Sequence, residues 1–456
     1  MKSLDKLGID DDAFLVSSLI DRCPRVMMLR ELFQNAVEAA QLSTGKRLIR
    51  IGAAEVDGVR KLRIWNTGPG MDPDALFRMG EISSSINKEK ALDRNFGIGA
   101  KVACLPSNHL GVRYRSCANG RDNEMILGKR GGVYGRLLLR SPGRGSETSV
   151  SAIRDVIDVT DIAVAEGQPL TEDWTEAVLL GMRPDQDTVL DPYDGKPAVE
   201  RYWIPETLYH RYARIPGDLQ VIINEPLHWA VGERPFVPIL ARALNEFAGY
   251  EAVRSPEGVT VHFLHDPAHP QRRWENASSE DAIQTSMTFV AVMWRNEFYD
   301  LRSGSPWYYE APMFGVTHGG RHVSVIVELP DDYEVLPDMY RQYLLYNAER
   351  QDQVRVAEFA GLVRRVRPSW IQGIVQPQDS GGAGVEMLVP ELSTLAAALR
   401  LDELPIVSRD AAETDATESE PGDAFEKASD LCKVTAGVRR RTSAASRPTG
   451  HSGSLA

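Results

Sequence analysis

The stretch that decides the fold is Pro24-Arg-Val-Met-Met-Leu-Arg-Glu31-Leu-Phe-Gln-Asn35-Ala-Val-Glu38-Ala-Ala40. Its apolar residues recur at helical spacing, Pro24 suits a first helical position, and Gly45 follows as a stop signal. The sequence therefore predicts an amphipathic helix that covers an apolar core. The predicted core-facing positions are Val26, Leu29, Phe33, Ala36, Val37 and Ala40.

Three polar residues share one stripe of this predicted helix. Glu31, Asn35 and Glu38 are spaced i, i+4 and i+7. A solvated face is the ordinary explanation, but such a face normally carries Lys, Arg or Gln rather than two carboxylates and an amide. A carboxylate can activate a water molecule, and an amide oxygen is a hard ligand for Mg²⁺.

A second segment, Asn66-Thr-Gly-Pro-Gly-Met71, follows an alternating stretch entered through Asp57-Gly58. That pattern predicts a β-hairpin whose second strand ends at the glycines. Glycines at this place let the backbone approach a flat ligand, and Asp72-Pro73 predicts the start of the next helix. An ordinary Pro-Gly turn explains the segment equally well when it stands alone.

A third segment, Phe96-Gly-Ile-Gly-Ala-Lys101, ends a polar stretch that runs from Glu81 to Asn95. Backbone N–H groups at the start of a helix bind phosphate, and Lys101 adds positive charge. A polar loop beside such a site is typical of a lid. Gly-x-Gly is weak evidence when it stands alone.

In this order, the motifs Glu-x-x-x-Asn, Asn-x-Gly-x-Gly-Met and Gly-x-Gly-x-Lys resemble the boxes of the GHKL ATPases. That superfamily includes the ninety-kilodalton heat-shock chaperones, MutL, the type II topoisomerase ATPase subunits, MORC proteins and histidine kinases. The layout is most similar to the chaperone, MutL and MORC types. The resemblance implies an α/β (α+β) Bergerat fold over residues 1–195, a sandwich that holds ATP between a mixed sheet and a mobile lid.

The resemblance also implies a role for each matching residue. Glu31 would be the general base, Asn35 the Mg²⁺ ligand, and Gly97, Gly99 and Lys101 would close on the phosphates. The residues expected to bind ATP are Asn35, Glu38, Asn66, Gly68, Gly70, Met71, Gly97, Ile98, Gly99, Ala100, Lys101 and Thr175.

The adenine side departs from the family pattern at two places. The last box usually pairs Gly with Thr, whereas Trp174 precedes Thr175 here, and Thr148 is an alternative that has a shorter β pattern after it. Asn66 stands where the family has Asp, which accepts a bond from the adenine amino group. Either Asn66 still accepts that bond and ATP binds, which we favour, or its amide donor has shifted the preference to guanine.

The rest of the chain predicts a smaller α/β domain over residues 196–377, followed by residues 378–456 as a linker, a short helix and a disordered tail. The resemblance suggests an S5-like second domain that sends a basic residue to the γ-phosphate, and Arg321 is the best candidate. A helix over 353–367 ends in three arginines, which either complement its dipole or contact nucleic acid.

Composition limits the function classes. The chain has 456 residues, a net charge of −12 and four cysteines without metal spacing, and it has neither a signal-peptide pattern nor an apolar run of membrane length. We therefore expect a cytoplasmic protein. The first hypothesis is a Mg²⁺-dependent ATPase in which lid closure drives homodimerisation, so that it clamps a protein or DNA client. The second is a nucleotide-gated interaction module that does not hydrolyse ATP.

Overall fold

The computed structural model describes residues 10–81, 99–140, 153–200, 202–223, 234–271, 276–279, 288–317, 319–346 and 352–371. These residues belong to one compact unit. They form a mixed α/β structure, which confirms the predicted fold class at that level.

The described helices are short except for the second. They are α1 Asp12–Asp21, α2 Met28–Gln41, α3 Pro73–Met79, α4 Gly99–Cys104, α5 Thr160–Ala165, α6 Trp203–Tyr209, α7 Ile239–Glu246, α8 Ser305–Glu310 and α9 Ala360–Val366. The strands are β1 Leu48–Val56, β2 Val59–Thr67, β3 Val112–Ala118, β4 Arg121–Arg130, β5 Val133–Arg136, β6 Leu139–Arg140, β7 Ile153–Arg154, β8 Ile157–Asp158, β9 Trp174–Leu179, β10 Gln220–Ile223, β11 Arg234–Pro235, β12 Gly249–Arg254, β13 Thr260–His265, β14 Phe289–Trp294, β15 Glu297–Ser303, β16 Val323–Glu328, β17 Val335–Pro337 and β18 Leu344–Tyr346.

Nine strands form the larger sheet, in the order β11-β10-β1-β2-β9-β3-β4-β5, with β8 paired to β4. Its pairs are antiparallel except β1 with β10, so the sheet is mixed. The hairpin from β1 to β2 closes through Asp57 and Gly58, whose φ angles are 51° and 77°. Two consecutive positive φ values are typical of the tight turn that Asp-Gly favours, so the hairpin prediction is confirmed.

Helix α2 packs on one face of this sheet. Leu29, Phe33, Ala36, Val37 and Ala40 are buried in the same cluster as Ile49, Ile51, Leu62 and Ile64 of the first two strands. The prediction for Val26 was wrong, because this residue lies in a 3₁₀ turn at Arg25–Met27 and is 44% exposed. The tighter turn breaks the 3.6-residue period that placed Val26 on the inner face.

A second sheet of five strands has the order β12-β13-β16-β14-β15, and its β14–β16 pair is parallel. Its three central strands, β13, β16 and β14, are largely apolar and buried. One face, which includes Leu264, Ala291 and Ile326, joins the core beneath α2. The opposite face packs under α8 and α9 in a separate core.

Two expectations changed in detail. The strand at 220–223 pairs with β1 and therefore extends the first sheet beyond residue 195. The predicted helix over 353–367 is shorter, since a 3₁₀ turn at Val356–Phe359 precedes α9. The reason is that Gln353 pairs with Leu345 in extended conformation, and the Val356 N–H is bonded to Asp300 at 2.8 Å.

Several predictions fall outside the described residues. These are most of the lid, Gly97, Ile98, Thr148 and the tail after residue 377. The domain boundaries stay predictions. No helix in the described part of the chain is long and apolar enough to cross a membrane.

Candidate functional site

A row of polar side chains crosses the α2-facing side of the large sheet. Asn66, Thr175, Ser116 and Asn123 occupy directly paired positions on β2, β9, β3 and β4. Two residues further along each strand, the paired row is apolar and buried, and consists of Ile64, Ala177, Tyr114 and Met125. Paired residues share a face, so the core beneath α2 ends at a polar edge.

Ser116 connects the segments that hold Met71 and Thr175. Its Oγ accepts a bond from the Met71 N–H at 2.9 Å, donates to the Trp174 carbonyl at 3.0 Å and lies 2.8 Å from Oγ1 of Thr175. The Gly68 N–H also donates to the Asp173 carbonyl at 3.3 Å. The second and fourth predicted segments therefore meet, and Thr175 stands directly opposite Asn66. Ser116 was not among the predicted site residues, since its only signal in the sequence is a lone hydroxyl on an apolar strand.

The amide of Asn66 has a defined orientation. Its Nδ2 donates to the Thr67 carbonyl at 2.9 Å, and the residue is 6% exposed. Rotating the amide would set oxygen against oxygen, so the network assigns Oδ1 to the other side. No donor in the described ranges reaches that Oδ1, which leaves Asn66 with an acceptor to offer at the polar edge.

Two glycines allow the segment after β2 to pass between α2 and β3. A Cβ on Gly68 would lie 2.9 Å from the Ala39 carbonyl oxygen of α2. Gly70 has φ +64°, and a Cβ there would collide with the Cys117 carbonyl. Close backbone packing therefore requires glycine at both positions, and their contact with adenine stays a prediction.

Glu31 meets the start of α4. It is 9% exposed, and its Oε2 lies against Gly99 so closely that a Cβ on Gly99 would collide with it. Asn35 lies one turn further along α2 and is exposed, while Glu38 accepts a bond from Gln34 at 2.9 Å. The structure thus brings the first predicted segment to the end of the third.

Lys101 points to a neighbouring helix end. This residue is 7% exposed, and its Nζ donates to the Met79 carbonyl, at the end of α3, at 2.7 Å. A cation at this position complements the dipole of α3. Ala100 beside it is buried. The phosphate role of Lys101 stays a prediction, and the bond to Met79 accounts for the residue in this structure.

A buried ion network adjoins Glu31 and includes residues that the sequence analysis did not select. Arg30 bonds both Glu31 and Glu297, and Arg211 holds Glu297 with a nitrogen–oxygen distance of 2.5 Å. Burial alone would raise the pKa of Glu297, but the charges of Arg30 and Arg211 outweigh it and lower that pKa to about 2. Nothing in the sequence marks Glu297, since it lies 267 residues from Arg30.

A different arginine from the predicted one lies next to this network. Arg321 stacks over Tyr308 at 5.3 Å, and its carbonyl accepts a bond from Asn276. In contrast, the Arg341 carbonyl accepts a bond from Arg211 at 2.8 Å, and the charge of Arg341 helps to lower the pKa of Glu297. Arg341, in the loop between β17 and β18, thus adjoins the Glu31 network.

The donor set fits a Mg²⁺ ion that is bound together with phosphates. No cluster of three or more His, Cys, Asp or Glu side chains in the described ranges forms a cage for a metal ion. Mg²⁺ usually takes one or two protein ligands and completes its shell with phosphate and water. The exposed amide of Asn35, next to Glu31, suits that mode.

The sequence matches no protein-family model, and no curated protein is similar enough to indicate a relationship.

Proposed function

We propose that this chain is a Mg²⁺-dependent ATPase of the GHKL type, in which the large sheet and α2 form a Bergerat fold. The observation that carries the proposal is the convergence of the four motif segments around α2. Asn66 and Thr175 are paired on the sheet, Met71 is bonded to Ser116 beside them, and Glu31 lies against Gly99. These segments lie far apart in sequence, so a chance arrangement of unrelated turns explains their meeting poorly.

In this proposal, the edge of the adenine base contacts the polar row on the large sheet. Adenine presents an amino donor there, whereas guanine presents a carbonyl acceptor. The Oδ1 of Asn66 is an acceptor held in place by the bond from Nδ2 to Thr67. It therefore suits adenine and repels the guanine carbonyl, which supports ATP over GTP.

At the phosphate end, Glu31 acts as the general base. Its Oε1 is bonded to Arg30, and its Oε2 lies against Gly99 at the start of α4. Oε2 is thus the oxygen that takes the proton from the attacking water. Mg²⁺, held by Asn35 when bound, supplies positive charge that stabilises the phosphates.

Hydrolysis is tested by comparing phosphate release of the purified wild type with that of Glu31→Ala. We expect ATP binding in both proteins and release only in the wild type. Equal release from the two would refute hydrolysis at this site. Competition against a bound ATP analogue tests which nucleobase the site prefers. If GTP competes as well as ATP, the assignment of adenine is overturned.

One observation favours the alternative, a nucleotide-gated module without hydrolysis. Arg30 is bonded to Glu31, so the proposed base is already paired with a cation. A wild type that binds ATP and releases no phosphate above the Glu31→Ala level would select this alternative.

The proposed clamp is an ATP-dependent homodimer that holds a protein or DNA client. The three arginines near the end of α9 have partners within the protein: Arg364 donates to Met313, Arg365 pairs with Glu257, and Arg367 donates to Gly315. They therefore complement local structure, and we favour a protein client. Salt-dependent DNA binding that appears only with a non-hydrolysable ATP analogue would reverse this preference.

A further inference from the structure

We propose that Glu297, at the edge of the five-stranded sheet, is a positioning residue for Glu31 and acts through Arg30. This inference rests on the proposed function in that Glu31 is the general base. It makes the second sheet a requirement for hydrolysis but not for nucleotide binding.

The contacts form a series that runs from helix α2 to strand β15 of the second sheet. The guanidinium of Arg30 faces both oxygens of Glu297, with Nε donating to Oε2 at 3.1 Å, and its Nη1 bonds Oε1 of Glu31. The Arg30 side chain is 3% exposed, and those of Glu31 and Glu297 are 12% and 10% exposed. Water therefore screens these interactions little, and a change at one carboxylate is felt at the other.

The Glu297 end of this series of contacts is held in place. Arg211 donates to Oε2 of Glu297 at 2.8 Å and to the carbonyls of Phe298 and Arg341 at 3.1 and 2.8 Å. Tyr212 donates to the Arg30 carbonyl at 3.1 Å. Two arginines and two carboxylates thus form a neutral buried set, in which Glu297 is anchored by the second sheet.

Glu297 controls how strongly Arg30 holds Glu31. With Glu297 in place, the charge of Arg30 is shared between two carboxylates. Without that charge, Arg30 keeps Glu31 as its carboxylate partner and holds it more tightly, away from the water. Asn66 and Thr175 do not belong to this set, so the part of the site that contacts adenine is unaffected.

The test compares Glu297→Gln with a matched control, Glu328→Gln, in the full chain. Glu328 lies on the same sheet, is held by both terminal nitrogens of Arg214 at 2.6 and 3.0 Å and by His262 at 2.6 Å, and shares with Glu297 a pKa lowered to about 2. We expect Glu297→Gln to lower kcat about tenfold with an unchanged Kd for ATP, and Glu328→Gln to leave both constants unchanged.

Arg30→Lys is the second variant, since a lysine ammonium cannot hold two carboxylates as a guanidinium fork does. It should reproduce the kcat loss without a change in ATP affinity. Equal kcat losses in Glu297→Gln and Glu328→Gln, or a loss of ATP affinity with unchanged kcat, would show a merely structural role and overturn the inference.

A readout without nucleotide separates this inference from the proposed function. Glu31→Gln and Glu297→Gln should be non-additive in chemical unfolding, by about threefold or more in the unfolding equilibrium constant, because Arg30 bonds both carboxylates. Additive effects overturn the inference. Non-additive effects in a wild type that releases no phosphate support the coupling and refute the ATPase instead.

Discussion

The two ends of the candidate site are built differently. The end proposed to bind adenine, here called the adenine end, consists of neutral groups on neighbouring strands. Strand pairing there places Asn66 directly opposite Thr175. The phosphate end consists of buried charges on separate elements, where Glu31 depends on Arg30 and on a residue of the other sheet. The adenine end therefore derives its geometry from backbone register, and the phosphate end derives it from side-chain contacts. Substitutions at the two ends should fail in different ways.

Gly99→Ala should give the largest effect, and it should be on rate. Alanine is the better helix former, so α4 itself is not weakened, but the new Cβ would collide with Oε2 of Glu31. Displacing the base should reduce phosphate release by about 100-fold or more, with ATP binding retained. Steady-state phosphate release and equilibrium binding measure the two quantities.

Gly361→Ala is the control for that change. Gly361 lies in α9 with open space around its Cα, so the same substitution should leave hydrolysis unchanged. If Gly99→Ala hydrolyses ATP at the wild-type rate, Glu31 does not depend on this contact.

At the adenine end, Gly70→Ala should instead lower the stability of the protein. The residue has φ +64°, and its new Cβ would meet the Cys117 carbonyl, which belongs to a strand and cannot move freely. We expect a loss of about 2 kcal/mol or more in the free energy of unfolding. Chemical denaturation measures it.

Gly58→Ala provides the matched control for backbone strain. Gly58 has φ +77° but nothing within 4 Å of a built Cβ, so only the strain remains, about 1 kcal/mol. If both variants lose equal stability, the close approach to β3 contributes nothing.

The same contrast explains how much of the molecule the sequence could predict. The Asp57-Gly58 hairpin and the Asp72 cap are local, and both were predicted; the Asp72 side chain accepts the Ala75 N–H at 2.7 Å. Arg30 and Glu297 lie 267 residues apart, and no local pattern relates them. Val26 was misassigned because a 3₁₀ turn interrupts the helical period.

The candidate site divides in the same manner. Its members on α2 and after β2 follow from motifs, because turns and helices impose fixed spacing. Ser116 was missed because a serine in a strand has no motif, and its three contacts come from β9 and from the turn after β2. Arg341 was missed because its carbonyl contact with Arg211 depends on how the loop between β17 and β18 packs against a distant part of the sequence.

Asn66→Asp should strengthen ATP binding by a smaller amount. A hydrogen bond to an ionised acceptor is roughly twice as strong as a neutral one. Part of that gain offsets the desolvation of a carboxylate at a position 6% exposed and the loss of the Nδ2 bond, which leaves a carboxylate oxygen against the Thr67 carbonyl. We expect about three- to tenfold tighter ATP binding, from about 1 kcal/mol, with no gain for GTP. Asn119→Asp at an exposed turn is the control. A gain for GTP equal to that for ATP would show that Asn66 does not face the adenine amino group.

Thr175→Val should give the smallest effect. Valine keeps the shape of the side chain and removes the hydroxyl, while Ser116 retains its bonds to Met71 and Trp174, so the polar row keeps its backbone geometry. The lost bond is neutral and contributes about 1 kcal/mol, so ATP affinity should fall about fivefold and kcat should stay unchanged. Calorimetric titration with ATP measures the affinity. A fall in kcat without a fall in affinity would mean that the two ends of the site are coupled through the sheet, which their different construction argues against.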